Sequence, residues 1–302
     1  MARTDLPLPQ VRAFTQTSRV DRWWLQPLLT FLGLFAFIVY GTWAAWQGDN
    51  YGSHAGAASV GVFGGGASIA HYLSPMYSPL LWDSPHWVDG AGNVVRTGHS
   101  WFGAWPSWIP AAIAFMPITP AFLILWMPGG FRFTCYYYRG AYYKAFWQDP
   151  TSCAVGEPGF RGTKYRGERW FPLVLQNVHR YFLYLAILFI FILTYDAIVS
   201  YIFTDPATGS KSFGIGVGSL VLTINPILLG GYTFGCHSLR HLVAGRFDLM
   251  SKHPGRKKAY DCVSCLNRKH MLWAWLSLFW VGFTDVYVRL TAAGVWVDYR
   301  LV

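Results

Sequence analysis

The residues able to do chemistry gather in two stretches of the chain. All five cysteines, Cys135, Cys153, Cys236, Cys262 and Cys265, fall within 127–177 and 236–270. Five of the nine histidines, His179, His237, His241, His253 and His270, lie in or beside the same stretches. Thiolates suit zinc and iron–sulfur clusters, and imidazole suits zinc and iron. A Rieske-type [2Fe–2S] centre takes two Cys on one iron and two His on the other. Cys135, Cys153, His179, His237 and His241 are able to supply that set, and the four-residue spacing of His237 and His241 puts both on one helical face. A single cysteine at a helix end is more often a small hydrophobe, so the joint placement carries the weight. Two imidazoles from facing helices would equally hold a haem b, as with His179 and His237 or His241. Cys262-Val263-Ser264-Cys265 is a CxxC that would make a zinc site with Cys236 and a nearby His; without a second CxxC the bland reading, an unmetallated pair, is preferred.

The elements that position these residues are membrane spans. The chain has 302 residues, 53% hydrophobic and only 13% charged, against about 25% charged in soluble domains. A crossing helix needs about 20 mostly apolar residues. Five segments qualify: Trp23–Trp46, Trp108–Trp126, Val178–Ser200, Phe213–Gly235 and Met271–Leu290. The expected fold is an all-α membrane protein, a five-helix transmembrane bundle forming a single membrane domain over 1–302. The second span is interrupted by Pro110, Pro117 and Pro120 and is read as kinked, which membrane helices tolerate. Asp196 and Asp285 stand near the far ends of the third and fifth spans. The start of the chain, Met1–Arg22, reads as polar with no removable signal peptide.

Basic residues set the orientation. Twenty of the 24 Lys and Arg lie in the first tail, in the loop after span two with the start of span three, or from the end of span four onward through the following loop. Positive charge stays cytoplasmic. That predicts a cytoplasmic N-terminus, an outside C-terminus, cytoplasmic loops at 127–177 and 236–270, and a long outer loop at 47–107. The outer loop is rich in Gly, Pro, Ser and Trp and is expected to hold loops and short interfacial helices. The net charge of +10 does not indicate nucleic acid, because the basic residues lie between apolar runs. The cytoplasm keeps thiols reduced, which argues against structural disulfides. The span centres lack the paired charges that mark ion pathways, which weighs against a transporter; a purely structural anchor remains an alternative. The tyrosine-rich tract Phe131–Trp147 reads first as an interfacial helix. A quinone pocket needs an apolar slot with a few donors, which its Tyr and Arg residues and nearby His would supply.

Five strings carry a resemblance: FRFTCYYYRGAYYKAFW (Phe131–Trp147), SCAVGEP (Ser152–Pro158), FPLVLQNVHRYF (Phe171–Phe182), GCHSLRHLV (Gly235–Val243) and FTDVYVRL (Phe283–Leu290). Together they resemble the single-subunit, cytochrome b-like membrane anchor of mycobacterial-type succinate dehydrogenases (respiratory complex II), from Pro128 to the end. The resemblance implies a multi-pass protein of the inner (plasma) membrane. It implies a three-subunit complex whose flavoprotein oxidises succinate at FAD and whose iron–sulfur subunit, with further clusters, passes electrons to the anchor among the membrane lipids. It also implies a membrane-embedded Rieske-type [2Fe–2S] cluster beside a quinone site, the quinone being menaquinone or ubiquinone. Carried onto this chain, Cys135, Cys153 and His179 are the first ligand choices and His241 the fourth, with His237 as its alternative. Arg139 and His270 are the candidates to bond the quinone oxygens. The spacings Cys-x-His and Cys-x-x-His of ordinary Rieske proteins are absent. Haem b in the same complex is the alternative cofactor.

Overall fold

A computed structural model describes residues 22, 24–53, 58–62, 67–85, 98–109, 112–113, 116–146, 174, 178–245 and 249–302. The chain divides into two compact units, one made of Met1–Ala36 and Arg132–Val178, the other of Phe37–Phe131 and His179–Val302. Among the described residues, four helices are long and apolar enough to cross a membrane. They are α1 (Leu25–Gln47), α5 (His179–Val199), α6 (Val217–Phe234) and α9 (His270–Ala292), and they match four of the five expected spans within a few residues.

The expected span at 108–126 is not one helix. It holds a two-residue hairpin, β3 (Ala112–Ile113) against β4 (Met116–Pro117), then α2 (Pro120–Ile124). Helix α3 (Trp126–Thr134) follows after Leu125, and α4 (Tyr136–Phe146) follows Cys135. Proline is the cause: each ring removes an N–H donor and clashes with the preceding turn, whereas a proline at the first helical position is tolerated. Pro117 therefore falls in a strand, and Pro120 opens the helix.

Helix α5 is apolar on every side, the pattern of a membrane-exposed helix. Leu183, Ala186, Phe189, Ile190, Leu193 and Ala197 are buried, while Tyr184, Leu188, Phe191, Tyr195 and Ile198 on the other faces are exposed. Helix α6 packs along both α5 and α9. Lipid is as apolar as the helix faces, so close approach of small residues and polar bonds must hold such helices together. Gly231 of α6 illustrates the first: a Cβ there would lie 2.6 Å from the Trp273 ring of α9. Trp280 Nε1 illustrates the second, donating to the Val221 carbonyl of α6 at 3.1 Å.

One end of these three helices is capped by strands rather than by the loops and helices expected. Strands β1 (Ala58–Gly61), β2 (Ser68–Ala70), β5 (Ile202–Thr204), β6 (Lys211–Phe213) and β7 (Tyr299–Arg300) form a sheet in the order β6-β5-β2-β1-β7. Neighbours pair antiparallel except β1 with β7, which are parallel. Buried carboxylates pin this sheet end. Asp298 accepts from Ser59 Oγ at 2.6 Å, Tyr72 OH at 2.8 Å, Tyr287 OH at 2.7 Å and the Gly218 N–H at 3.0 Å. Asp285 of α9 accepts from Arg289 Nε at 2.8 Å, from Tyr40 OH at 2.5 Å and from Ser74 Oγ. Arg289 also donates to the carbonyls of Asp49 and Ala44. Ser78 donates to Asp196 of α5. A buried polar group costs free energy unless it is bonded, and this shared bonding resolves why acidic residues sit near the far ends of two apolar helices.

The opposite end holds the starts of α5 and α9 and the end of α6. Two short helices follow α6: α7 (His237–Ala244) and α8 (Pro254–Asn267).

Candidate functional site

The site forms where the starts of α5 and α9 meet the end of α6. His179 is the first residue of α5, His270 the first of α9, and Cys236 caps the start of α7 just beyond the end of α6. His179 Nε2 lies 3.1 Å from Cys236 Sγ. The Cys236 sulfur also accepts the Ser238 N–H at 3.4 Å, and the residue is 2% exposed. His179 stacks on Phe131 with ring centroids 4.7 Å apart. Phe131 meets Tyr232 edge-on at 5.4 Å, and Tyr232 stacks on His270 at 5.0 Å. His270 lies within electrostatic range of His179. The result is a buried thiol against a half-buried imidazole, with Phe131 stacked on that imidazole and Tyr232 linking Phe131 to a second one.

The other candidate residues are distributed differently. Cys135 is buried at the break between α3 and α4, its N–H bonded to the Arg132 carbonyl at 3.2 Å and its carbonyl accepting the Arg139 N–H at 2.8 Å. Cys153 lies outside the described residues. His237 and His241 share one exposed face of α7, as their spacing requires, and their Nε2 atoms lie 3.0 Å apart. Burial, the neighbouring His241 and Arg240 together hold the His237 imidazole below its ordinary range. The Arg139 guanidinium lies over the Tyr136 ring at 4.6 Å. Nearby, burial pushes the Tyr138 phenol up to about 12 against the opposing pull of Arg132, to which it is hydrogen-bonded at 2.8 Å. Cys262 and Cys265 are exposed on α8.

Sequence reasoning assigned Cys236 to a zinc alternative and His270 to quinone alone. The signal that would have linked both to His179 was positional. Each stands within two residues of a span end on the same side, and the packing of α6 against α5 and α9 brings such ends together. Two donors of the kind a Rieske-type centre uses, one thiol and one imidazole, are in contact here, so the donor chemistry fits such a cluster. Among the described residues no group of three His, Cys, Asp or Glu converges to complete a metal site.

A model of the actinobacterial succinate dehydrogenase subunit SdhC matches residues 25–294. The chain belongs to that family. It is thus a subunit of the succinate dehydrogenase complex and a multi-pass membrane protein. The chain is also similar to a solved structure, the Mycobacterium smegmatis Sdh1 complex in the apo form, at 42% identity and a TM-score of 0.74, over 98% of this chain and 96% of that one. No curated protein matches. The resemblance read from Pro128 onward thus extends over nearly the whole anchor, including α1 and the sheet-forming segments.

Proposed function

We propose that this anchor relays electrons from the iron–sulfur subunit to quinone through a Rieske-type [2Fe–2S] cluster held at the cysteine end of the bundle. Succinate itself reacts in the flavoprotein subunit. The observation that carries the reading is the contact between His179 and Cys236 inside an aromatic enclosure. Cys236 is buried and His179 half-buried there, and His ligation raises the potential of a mixed Cys/His centre, which its surroundings tune further. When bound, such a cluster supplies one-electron transfer between the docked iron–sulfur subunit and the quinone.

The residues do the rest. For metal binding the Cys236 thiol would lose its proton and the His179 ring would stay neutral with its proton on Nδ1, leaving Nε2 bare beside the sulfur. Phe131 fixes the His179 ring plane by stacking. Cys135, Cys153 and His241, or His237, are the further ligand candidates from the resemblance, and the geometry adds Cys236 to them. Arg139 and His270 are the candidate donors to the quinone oxygens, and the Tyr232 stack fixes the His270 ring.

The haem b reading requires two imidazoles facing each other across the bundle. His179 instead meets a thiol, and His237 meets His241 on an exposed face; both observations favour the cluster.

In topology, the N-terminus is cytoplasmic and the C-terminus outside. The second of five crossings includes α2 and the start of α3, whose 120–131 portion has no charged residue. A four-crossing chain would put the basic first tail opposite the two basic loops at 127–177 and 236–270, against the charge rule.

The test is a set of variants of the assembled complex. His179→Ala and Cys236→Ser should each abolish quinone reduction while dye-linked succinate oxidation persists, and both should erase the cluster's EPR signal. His241→Ala decides whether α7 supplies a ligand. A strong Soret band with no acid-labile sulfide, or full quinone activity in His179→Ala, would overturn the reading.

A further inference from the structure

A cavity of about 360 Å³ opens between α7 and α8, lined by Arg240, Asp261, Ser264, Cys265, Asn267 and Arg268. It contains none of the residues assigned above to electron transfer. Its position is set by two span ends: Arg240 lies six residues past the end of α6, and Arg268 lies two residues before the start of α9. That is the depth of lipid head groups, because both helices leave the apolar layer there.

The lining carries two guanidiniums and one carboxylate, a balance of one positive charge. Arg240 is held in place by its bond to Tyr260 OH and by its seat over the Tyr260 ring, 4.8 Å from the centroid. Among the described residues the Arg268 guanidinium makes no side-chain bond or ion pair, and the buried Ser264 hydroxyl has no hydrogen-bond partner. A buried, unbonded hydroxyl is costly, so a ligand that engages it recovers that loss. Two carbonyls that would repel an anion at the end of α8 are engaged, Ser264 with the Arg268 N–H and Leu266 with the Lys269 N–H. Asn267 is turned away, donating to the Gly235 carbonyl at 2.7 Å.

We infer that this cavity binds a phosphate diester bearing hydroxyl groups, the chemistry of a phosphatidylglycerol or phosphatidylinositol head group. The phosphate takes the guanidiniums of Arg240 and Arg268, which bond phosphate oxygens through planar forks. Its single negative charge neutralises the lining. The neighbouring hydroxyls donate to Asp261, and Ser264 donates to a phosphate oxygen. A choline head group has no donor for Asp261, so phosphatidylcholine binds worse.

The test uses the intact complex, stripped of lipid in detergent and titrated with phosphatidylglycerol under native mass spectrometry. The wild type retains one tightly held phosphatidylglycerol in preference to phosphatidylcholine. Arg268→Ala and Ser264→Ala each weaken that retention, Arg268→Ala by about tenfold, and Arg268→Lys recovers part of it. Displacement of the retained lipid by millimolar glycerol 1-phosphate supports the site, since it shows that the cavity holds the head group rather than the acyl chains. Equal retention of the two lipids, or unchanged retention in both alanine variants, overturns the inference. Loss of the iron–sulfur subunit from Arg268→Ala with lipid retention unchanged also overturns it, and makes the cavity a protein contact. Both alanine variants remove side chains with no partner in the described residues, so the fold survives in each.

Discussion

Single residues divide here into those that balance charge and those left to chemistry. Asp285 and Arg289 form an i,i+4 ion pair inside α9, at 0% and 7% side-chain exposure. Breaking a buried pair on one side strands a charge at a cost of about 3–5 kcal/mol, whereas replacing both partners by apolar groups is often neutral. Asp285→Ala should therefore lower the melting temperature of the purified complex sharply. Asp285→Leu combined with Arg289→Met should recover much of the loss. A double variant less stable than the single would show that the carbonyl bonds from Arg289 to Asp49 and Ala44 outweigh the pair. At the other end of the bundle, His179 Nε2 meets the Cys236 sulfur at 3.1 Å. A thiol and an imidazole in contact are donors of the kind a metal takes, which is why the proposed relay is placed there.

Among the elements, the sheet cap is where local sequence misled most. Its strands are two to four residues long, too short for a periodic pattern to register, and they pair across long separations, β2 with β5 and β1 with β7. Their partners exist only because α5, α6 and α9 deliver their ends to one place. The cap also carries two adjacent histidines. His71 bonds Thr204 Oγ1 at 2.8 Å, and its ring centroid lies 6.0 Å from that of His99. Burial holds His99 down at about 4, with His71 adding to the effect and Asp83 opposing it; burial and Lys211 lower His71 as well. A histidine depressed in the fold binds fewer protons than the unfolded chain between its folded value and about 6.5, so stability falls as pH drops through that window. Acidification from pH 7 to 4.5 should loosen the cap by on the order of 2 kcal/mol. Melting curves measured at both pH values, on the wild type and on His99→Gln, check this. The variant should lose less stability on acidification, and an identical pH response in both would remove His99 from the account.

For the whole molecule, the proposed relay depends on topology, since it requires the cysteine end to face the soluble subunits. Cys262 and Cys265 are exposed on α8, and Ala207 is exposed in the turn between β5 and β6. A membrane-impermeant maleimide should label the two cysteines in inverted vesicles and spare them in intact cells. Ala207→Cys, in a background with Cys262 and Cys265 replaced by Ser, should label in the opposite preparation. Labelling of all three positions from one side would break the five-crossing scheme.

The sequence by itself determined the class of protein, the four long helices and the family. Each of these rests on local quantities: twenty apolar residues are legible wherever they occur, and strings such as GCHSLRHLV need no fold to be read. It also placed the cysteines and histidines at span ends, because that requires only counting. What the tertiary structure decided was pairing. Whether His179 meets His241 or Cys236 depends on where α6 ends relative to α5. Whether Asp285 is a stray charge or half of a pair depends on the Arg289, Tyr40 and Ser74 side chains that surround it. The break in the expected second span arose from the same limit, since the proline content was visible but the choice between a kink and a restart at Pro120 was not. Contacts across long separations depend on how helix ends align in space, and no window along the chain contains that information.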